Sequence, residues 1–112
     1  MSNKRRFTEF LESYAKKDLV AIARLLADDA TLKDWNISVR GREAVESETQ
    51  KNFQDAESIK IEVLHLYEGQ DSVAGELKIT VNQSIEIYVV DVISFDSSGK
   101  IRAIRSYKGR ED

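Results

Sequence analysis

The strongest chemical signal in the sequence is Asp91. It stands in the run Tyr88-Val89-Val90-Asp91-Val92-Ile93, whose other members favour a strand. Aspartate is disfavoured in strands, and burying an ionised carboxylate without compensation is costly. Alternation puts Asp91 on one face with Ile85, Ile87, Val89 and Ile93. A carboxyl group there either pairs with a cation from the next strand, Arg105 or Lys108, or stays protonated and donates a hydrogen bond. Other chemistry is limited. There is no Cys, so neither a thiolate nucleophile nor a disulfide is available. The chain has one His, His65, too few for an ordinary structural zinc site. It has no Gly-rich phosphate loop and no metal-ligand cluster, so no cofactor and no metal site is expected.

The elements that must position Asp91 can be read from periodicity. A first helix is predicted from about Lys4 to Lys16, with Phe7, Phe10, Leu11 and Tyr14 on one face. A second starts after Asp18, which can cap its first turn, and carries Leu19, Ile22, Leu25 and Leu26. The pair Asp28-Asp29 is expected to end it, with an extended segment from Thr31. A third helix is predicted to start after Gly41 and run to about Gln54, with Ala44, Val45, Thr49 and Phe53 facing inward. The period then changes to two. Ile59, Ile61, Val63, His65 and Tyr67 alternate with Lys60, Glu62, Leu64 and Leu66, which would turn His65 toward the sheet interior as a core residue. Further strands are expected over Val73–Val81, Ile85–Phe95 and Lys100–Lys108, separated by Asn82-Gln83 and Asp96-Ser97-Ser98-Gly99. Helices first and strands later imply an α+β domain, about three helices packed on a mainly antiparallel sheet, over residues 1–112. The strand Ile85–Phe95 is apolar on both faces, through Val90 and Val92 on the second. That second face is expected to meet another subunit, giving a homodimer through the sheets.

Three stretches carry a resemblance. They are Asp18 to Ile22 leading into Leu26-Ala27-Asp28-Asp29-Ala30-Thr31-Leu32-Lys33-Asp34, then Gly41-Arg42-Glu43-Ala44-Val45, and then Val90 to Asp96 with Gly99-Lys100-Ile101 and Arg105-Ser106-Tyr107. Together they resemble the nuclear-transport-factor-like superfamily, and within it the bacterial ketosteroid isomerases and SnoaL-like polyketide cyclases, from about Phe7 to Gly109. The resemblance implies a cystatin-like cone: helices folded over a curved sheet around a small pocket. In the isomerase pattern the aspartate at the place of Asp34 is the general base that moves a proton between carbons of a ketone. Trp35 beside it suits an apolar wall, which such a base needs. The acid at the place of Asp91 is kept protonated and donates to the developing oxyanion, an established case of a carboxyl group neutral at pH 7.

The isomerase pattern also places a tyrosine donor on the first helix, and here Phe10 stands in its place. Loss of one oxyanion donor typically costs ~10²-fold or more in rate. Tyr14, four residues on, shares that helix face. It either supplies a hydroxyl to the cavity or is a core aromatic with its tip at the rim. The expected pocket wall is Phe10, Tyr14, Trp35, Val89 and Ile104, with Tyr107 and Lys108 at its opening.

Bulk properties narrow the partners. The formal net charge is -3, and no basic stripe is interleaved with aromatics, so nucleic acid is not an expected partner. No apolar run approaches the ~20 residues of a membrane span. Lys4-Arg5-Arg6 is not followed by an apolar stretch of the signal-peptide kind, which makes the cytoplasm the expected location. Two functions fit. One is proton transfer on a small, mostly apolar carbonyl compound, with Asp34 as base and Asp91 as acid or oxyanion donor. The other is a non-catalytic module of the same fold that binds a small apolar ligand or dimerises.

Overall fold

A computed structural model describes residues 1–110; the last two residues of the assigned domain lie outside the described part. There are three helices, α1 (Asn3–Ala15), α2 (Leu19–Leu25) and α3 (Arg42–Asp55), and two strands stand between the second and the third. The strands are β1 (Leu26–Lys33), β2 (Ser38–Arg40), β3 (Ile59–Glu68), β4 (Ser72–Val81), β5 (Ile85–Phe95) and β6 (Ile101–Lys108). They form one curved, unclosed sheet in the order β2-β1-β6-β5-β4-β3. Every neighbouring pair is antiparallel except β1 and β6, which run parallel. The α+β class and the helix-over-sheet arrangement are those expected.

Local chemistry explains the helix starts. Ser2 caps α1, its Oγ accepting from the Arg5 amide at 3.1 Å. Asp18 caps α2 in the same way through Ala21, also at 3.1 Å. Both satisfy amides that have no carbonyl partner inside the helix. Gly41 precedes α3 with φ at 99°, a conformation that costs glycine little. Phe7, Phe10 and Leu11 of α1 and Val45, Thr49 and Phe53 of α3 are the buried stripes that hold these helices on the sheet.

Two local expectations are corrected. Helix α2 stops at Leu25, before the Asp28-Asp29 pair. Leu26 is already extended and pairs with Ile101 of β6. A seven-residue helix gains little from propensity, and β1 buries Leu26, Ala27 and Ala30 against the core. Asp28 and Asp29 sit exposed where the β1–β6 register shifts. The second correction concerns β3. A bulge lies between Val63 and His65, opposite Leu77 and Glu76. One extra residue inverts the alternation beyond it. Leu66 therefore turns inward beside Gly75, while His65 and Tyr67 lie exposed on the outer face, their ring centroids 6.5 Å apart.

The inner face of the sheet carries the core. Leu77 and Val89 face each other, as do Val73 and Ile93, then Ile93 and Ile104. Phe7, fully buried, lies against the backbone of Gly75. The outer face presents Val90, Val92, Tyr88 and Tyr107, of which Tyr107 is 56% exposed. Among the described residues, no helix is long and apolar enough to cross a membrane.

Candidate functional site

A cavity of about 350 Å³ opens between α1, α3 and the inner face of the sheet. Its size is at the small end of the range for small-molecule pockets, ~300–1,000 Å³. The residues singled out from the sequence, Asp34, Asp91, Phe10, Tyr14, Trp35, Val89 and Ile104, all line it. One wall is purely aliphatic: Ile59, Ile61, Ile79, Val81 and Ile87. Tyr107 and Lys108 are not part of it, because Tyr107 pairs with Val90 on the outer face and Lys108 ends β6 exposed.

Asp91 lies on the inner face at only 8% exposure, between Gly75 of β4 and Ser106 of β6. Ser106 Oγ donates to Asp91 Oδ1 at 2.6 Å. The partner is thus a neutral hydroxyl and not a cation. Alternation sends Arg105 to the other side of the sheet, where its guanidinium donates to Ser94 Oγ at 3.2 Å. Burial raises the Asp91 pKa from 3.8 to about 6; the Ser106 hydrogen bond opposes this and the charge of Asp34 adds to it. At pH values below about 6 the group is a buried acid with a proton to give.

Asp34 follows β1 directly and shapes the turn into β2. Its Oδ1 accepts from the amides of Asn36 at 2.7 Å and Ile37 at 2.9 Å, while its own amide donates to the Ile37 carbonyl at 3.0 Å. These bonds fix the plane of the carboxyl group at the edge of the cavity. Asn36 joins the lining beside it, and Trp35 is 47% exposed at the same edge. Asp34 and Asp91 therefore border one space in unlike surroundings. One is half-buried and amide-bonded; the other is buried with a single hydroxyl donor.

Tyr14 is clamped between two rings. Phe10 stands 5.9 Å away on the same helix, and Phe53 of α3 meets it edge-on at 4.9 Å. Asn52 Nδ2 donates to the Tyr14 hydroxyl at 3.0 Å. Burial raises the Tyr14 pKa, with Asn52 opposing and the charges of Asp91 and Asp34 adding to the rise. The phenol is accordingly neutral in the physiological range and able to donate.

Residues 7–104 match the SnoaL-like domain family. The chain belongs to that family. Among solved structures, this SnoaL-like domain resembles SalBIII, described as an epoxide hydrolase/cyclase-like enzyme in pyran ring formation in the polyether salinomycin. The two are 28% identical, with 96% of this chain and 90% of that one covered and a TM-score of 0.83. An NTF2-like protein of unknown function from Cytophaga hutchinsonii has a TM-score of 0.82 at 16% identity, covering 97% of this chain and 91% of its own. An LEH-like epoxide hydrolase from M. tuberculosis has 0.80 at 17%, covering 94% and 80%. The last two likenesses concern the fold alone. No curated protein matches the SnoaL-like chain in sequence.

Sequence reasoning missed Ser106, Asn52 and Asp55 as cavity residues. Ser106 was within reach, since hairpin pairing through the Asp96–Gly99 turn places it opposite Asp91. Asn52 falls one turn after Thr49, on the border of the inward stripe of α3, and its polarity hid it. Among the described residues, no three His, Asp or Glu side chains gather where a metal ion could be held.

Proposed function

We propose that the cavity binds a small, mostly apolar carbonyl compound and moves a proton on it. Asp34 takes the proton from the carbon beside the carbonyl through Oδ2, the oxygen not used by the turn. The C–H electron pair moves toward the carbonyl, and negative charge develops on oxygen. The Asp91 O–H donates to that oxygen, and Asp34 returns the proton to carbon. The observation that carries this reading is one cavity bordered by two carboxyl groups in unlike environments, one of them buried with its pKa raised to about 6. The aliphatic wall suits an apolar body, and the volume suits a compound of one or two rings.

A second reading has its own support, the 28% identity to SalBIII. The same pair would then open an epoxide: Asp91 protonates the ring oxygen, Asp34 takes the proton of the attacking hydroxyl, and a C–O bond forms as the epoxide C–O bond breaks. We also propose that the outer sheet face joins a second copy. Val90 and Val92 lie on it with Tyr107, flanked by Glu76 and Arg105, which can meet their opposites across a two-fold axis.

Proton transfer is testable without knowing the natural substrate. In D₂O, with 1-tetralone as probe, the protein is expected to speed deuterium uptake at the α carbon, read by mass spectrometry. Asp34→Asn is expected to lower that rate by ~10²–10⁴-fold while leaving the fold intact. Equal uptake by Asp34→Asn and the parent protein overturns the role of Asp34. Probe binding without catalysed uptake identifies a non-catalytic ligand-binding module.

A further inference from the structure

Tyr14 carries a feature that the acid–base pair does not use. Its oxygen is an acceptor, taking the Asn52 Nδ2–H at 3.0 Å. A phenol oxygen engaged in this way keeps its own proton for another partner. The ring has little freedom to turn, being held between Phe10 and Phe53. Tyr14 and Asn52 both line the cavity. The charges of Asp91 and Asp34 both act on the hydroxyl, so it stands within the same electrostatic neighbourhood as the two carboxyl groups.

We propose that Asn52 is a positioning residue: its amide holds the Tyr14 oxygen so that the hydroxyl proton faces the cavity and donates to an acceptor oxygen of the ligand. Below about pH 6 the site then has two neutral donors, Tyr14 from α1 and Asp91 from β5. Each is set by a partner of its own, Asn52 for the first and Ser106 for the second. This accounts for Phe10, which has no hydroxyl to offer: the donor stands one helical turn further along the same face. The ligand class narrows accordingly to neutral compounds with an acceptor oxygen, a ketone or cyclic ether, on an apolar body. The proposal rests on the carbonyl-binding reading above, yet it concerns binding and not turnover.

The test compares two probes, 1-tetralone and its oxygen-free counterpart tetralin, by NMR titration of the protein. At pH 5, where Asp91 is protonated, the parent protein is expected to prefer tetralone by about 10-fold or more, as two donors to one oxygen imply. Asn52→Asp has the same shape, but its carboxylate accepts the Tyr14 proton and turns the donor away. It is expected to lower tetralone affinity about 5-fold and leave tetralin affinity unchanged. Tyr14→Phe is expected to do the same, and the double variant to lose no more than either single one. Bound tetralone should also show its carbonyl stretch at lower frequency in the parent protein than in Asn52→Asp. The proposal is overturned by an unchanged probe preference in Asn52→Asp, by losses that add in the double variant, or by equal binding of both probes to the parent protein. Deuterium uptake catalysed by the parent protein alongside any of those results leaves the proton-transfer reading standing.

Discussion

Ser106 and Asp91 face each other across the β5–β6 pair, and the serine hydroxyl donates to the buried carboxyl at 2.6 Å. This pairing explains how a carboxyl group is tolerated inside an apolar strand. A cation opposite Asp91 would hold it ionised and lower its pKa. A hydroxyl supports either protonation state and leaves burial as the dominant influence. The group is then buried without being locked as an anion, as proton donation requires. Gly75, on the other side of Asp91 in β4, contributes no side chain, so Phe7 packs directly on its backbone.

The first consequence is a dependence of stability on pH. The Asp91 pKa is about 6 in the fold against 3.8 for an unperturbed carboxyl group, so the native state binds this proton more tightly than the unfolded chain. Its contribution is fully present below pH 3.8, declines as pH rises to about 6, and is flat above that. The total loss is roughly 3 kcal/mol. Asp91→Asn keeps the hydrogen bond to Ser106 and cannot ionise. Urea midpoints across pH 4.5–8 are expected to favour the variant increasingly up to about pH 6, by roughly 1–3 kcal/mol. A constant difference over that range would mean that Asp91 does not titrate in it.

The second consequence concerns activity. If Asp91 donates to the substrate oxygen, catalysed deuterium uptake falls by about tenfold per pH unit above pH 6. The hydroxyl of Ser106 opposes the rise of the Asp91 pKa, so Ser106→Ala moves that descending limb to higher pH. Asp91→Asn removes the limb altogether. The check is the pH–rate profile of the three proteins with one probe; a limb unmoved by Ser106→Ala assigns it to another group.

The order of elements and Asp91 itself were legible in the sequence, because both rest on period and on one residue type set against its neighbours. Asp91 stands out as polar among Val89, Val90, Val92 and Ile93, whatever the fold around it. The features that escaped depend on choices that periodicity does not carry. A bulge after Val63 adds one residue and sends His65 outward, yet it leaves no mark in composition. Leu26 fits the helical stripe of α2 and the inner face of β1 equally well; pairing with Ile101, far along the chain, decides between them. Asn52 is an exposed helix residue by pattern, and its value lies in the Tyr14 oxygen brought to it from α1. The short strand β2 is set by the Asp34 turn, through hydrogen bonds that three residues of sequence do not announce.

A third prediction concerns Gly75. A methyl group there would lie 2.6 Å from Phe7 Cζ and 2.8 Å from Phe7 Cε1. Replacing a strand glycine with alanine ordinarily gains about 0.5–1 kcal/mol through lower chain entropy. Here the clash with a fully buried ring outweighs it, and Gly75→Ala is expected to destabilise by roughly 1–3 kcal/mol. Phe7→Leu withdraws the ring atoms concerned. In that background Gly75→Ala is expected to be neutral or mildly stabilising, a coupling that thermal unfolding of the four proteins would reveal. Additive effects would show that the two residues do not compete for the same space.

The fourth prediction tests the outer face. Val90 stands opposite Tyr107 and Glu76 in the sheet register, at the centre of the side away from the helices. A solvated antiparallel strand ordinarily alternates polar residues on its outer face, whereas here Tyr88, Val90 and Val92 follow one another. Covering these side chains with the same patch of a second copy removes apolar surface from water and sets Glu76 of each copy near Arg105 of the other. Light scattering after gel filtration is expected to give twice the chain mass at micromolar concentration. Val90→Glu buries a like-charge pair on the axis of such a dimer and is expected to give the chain mass, with the fold retained. Probe binding measured on that variant then reports whether the cavity depends on the second copy. A parent protein of single-chain mass at every concentration tested would remove the sheet face as a self-association surface.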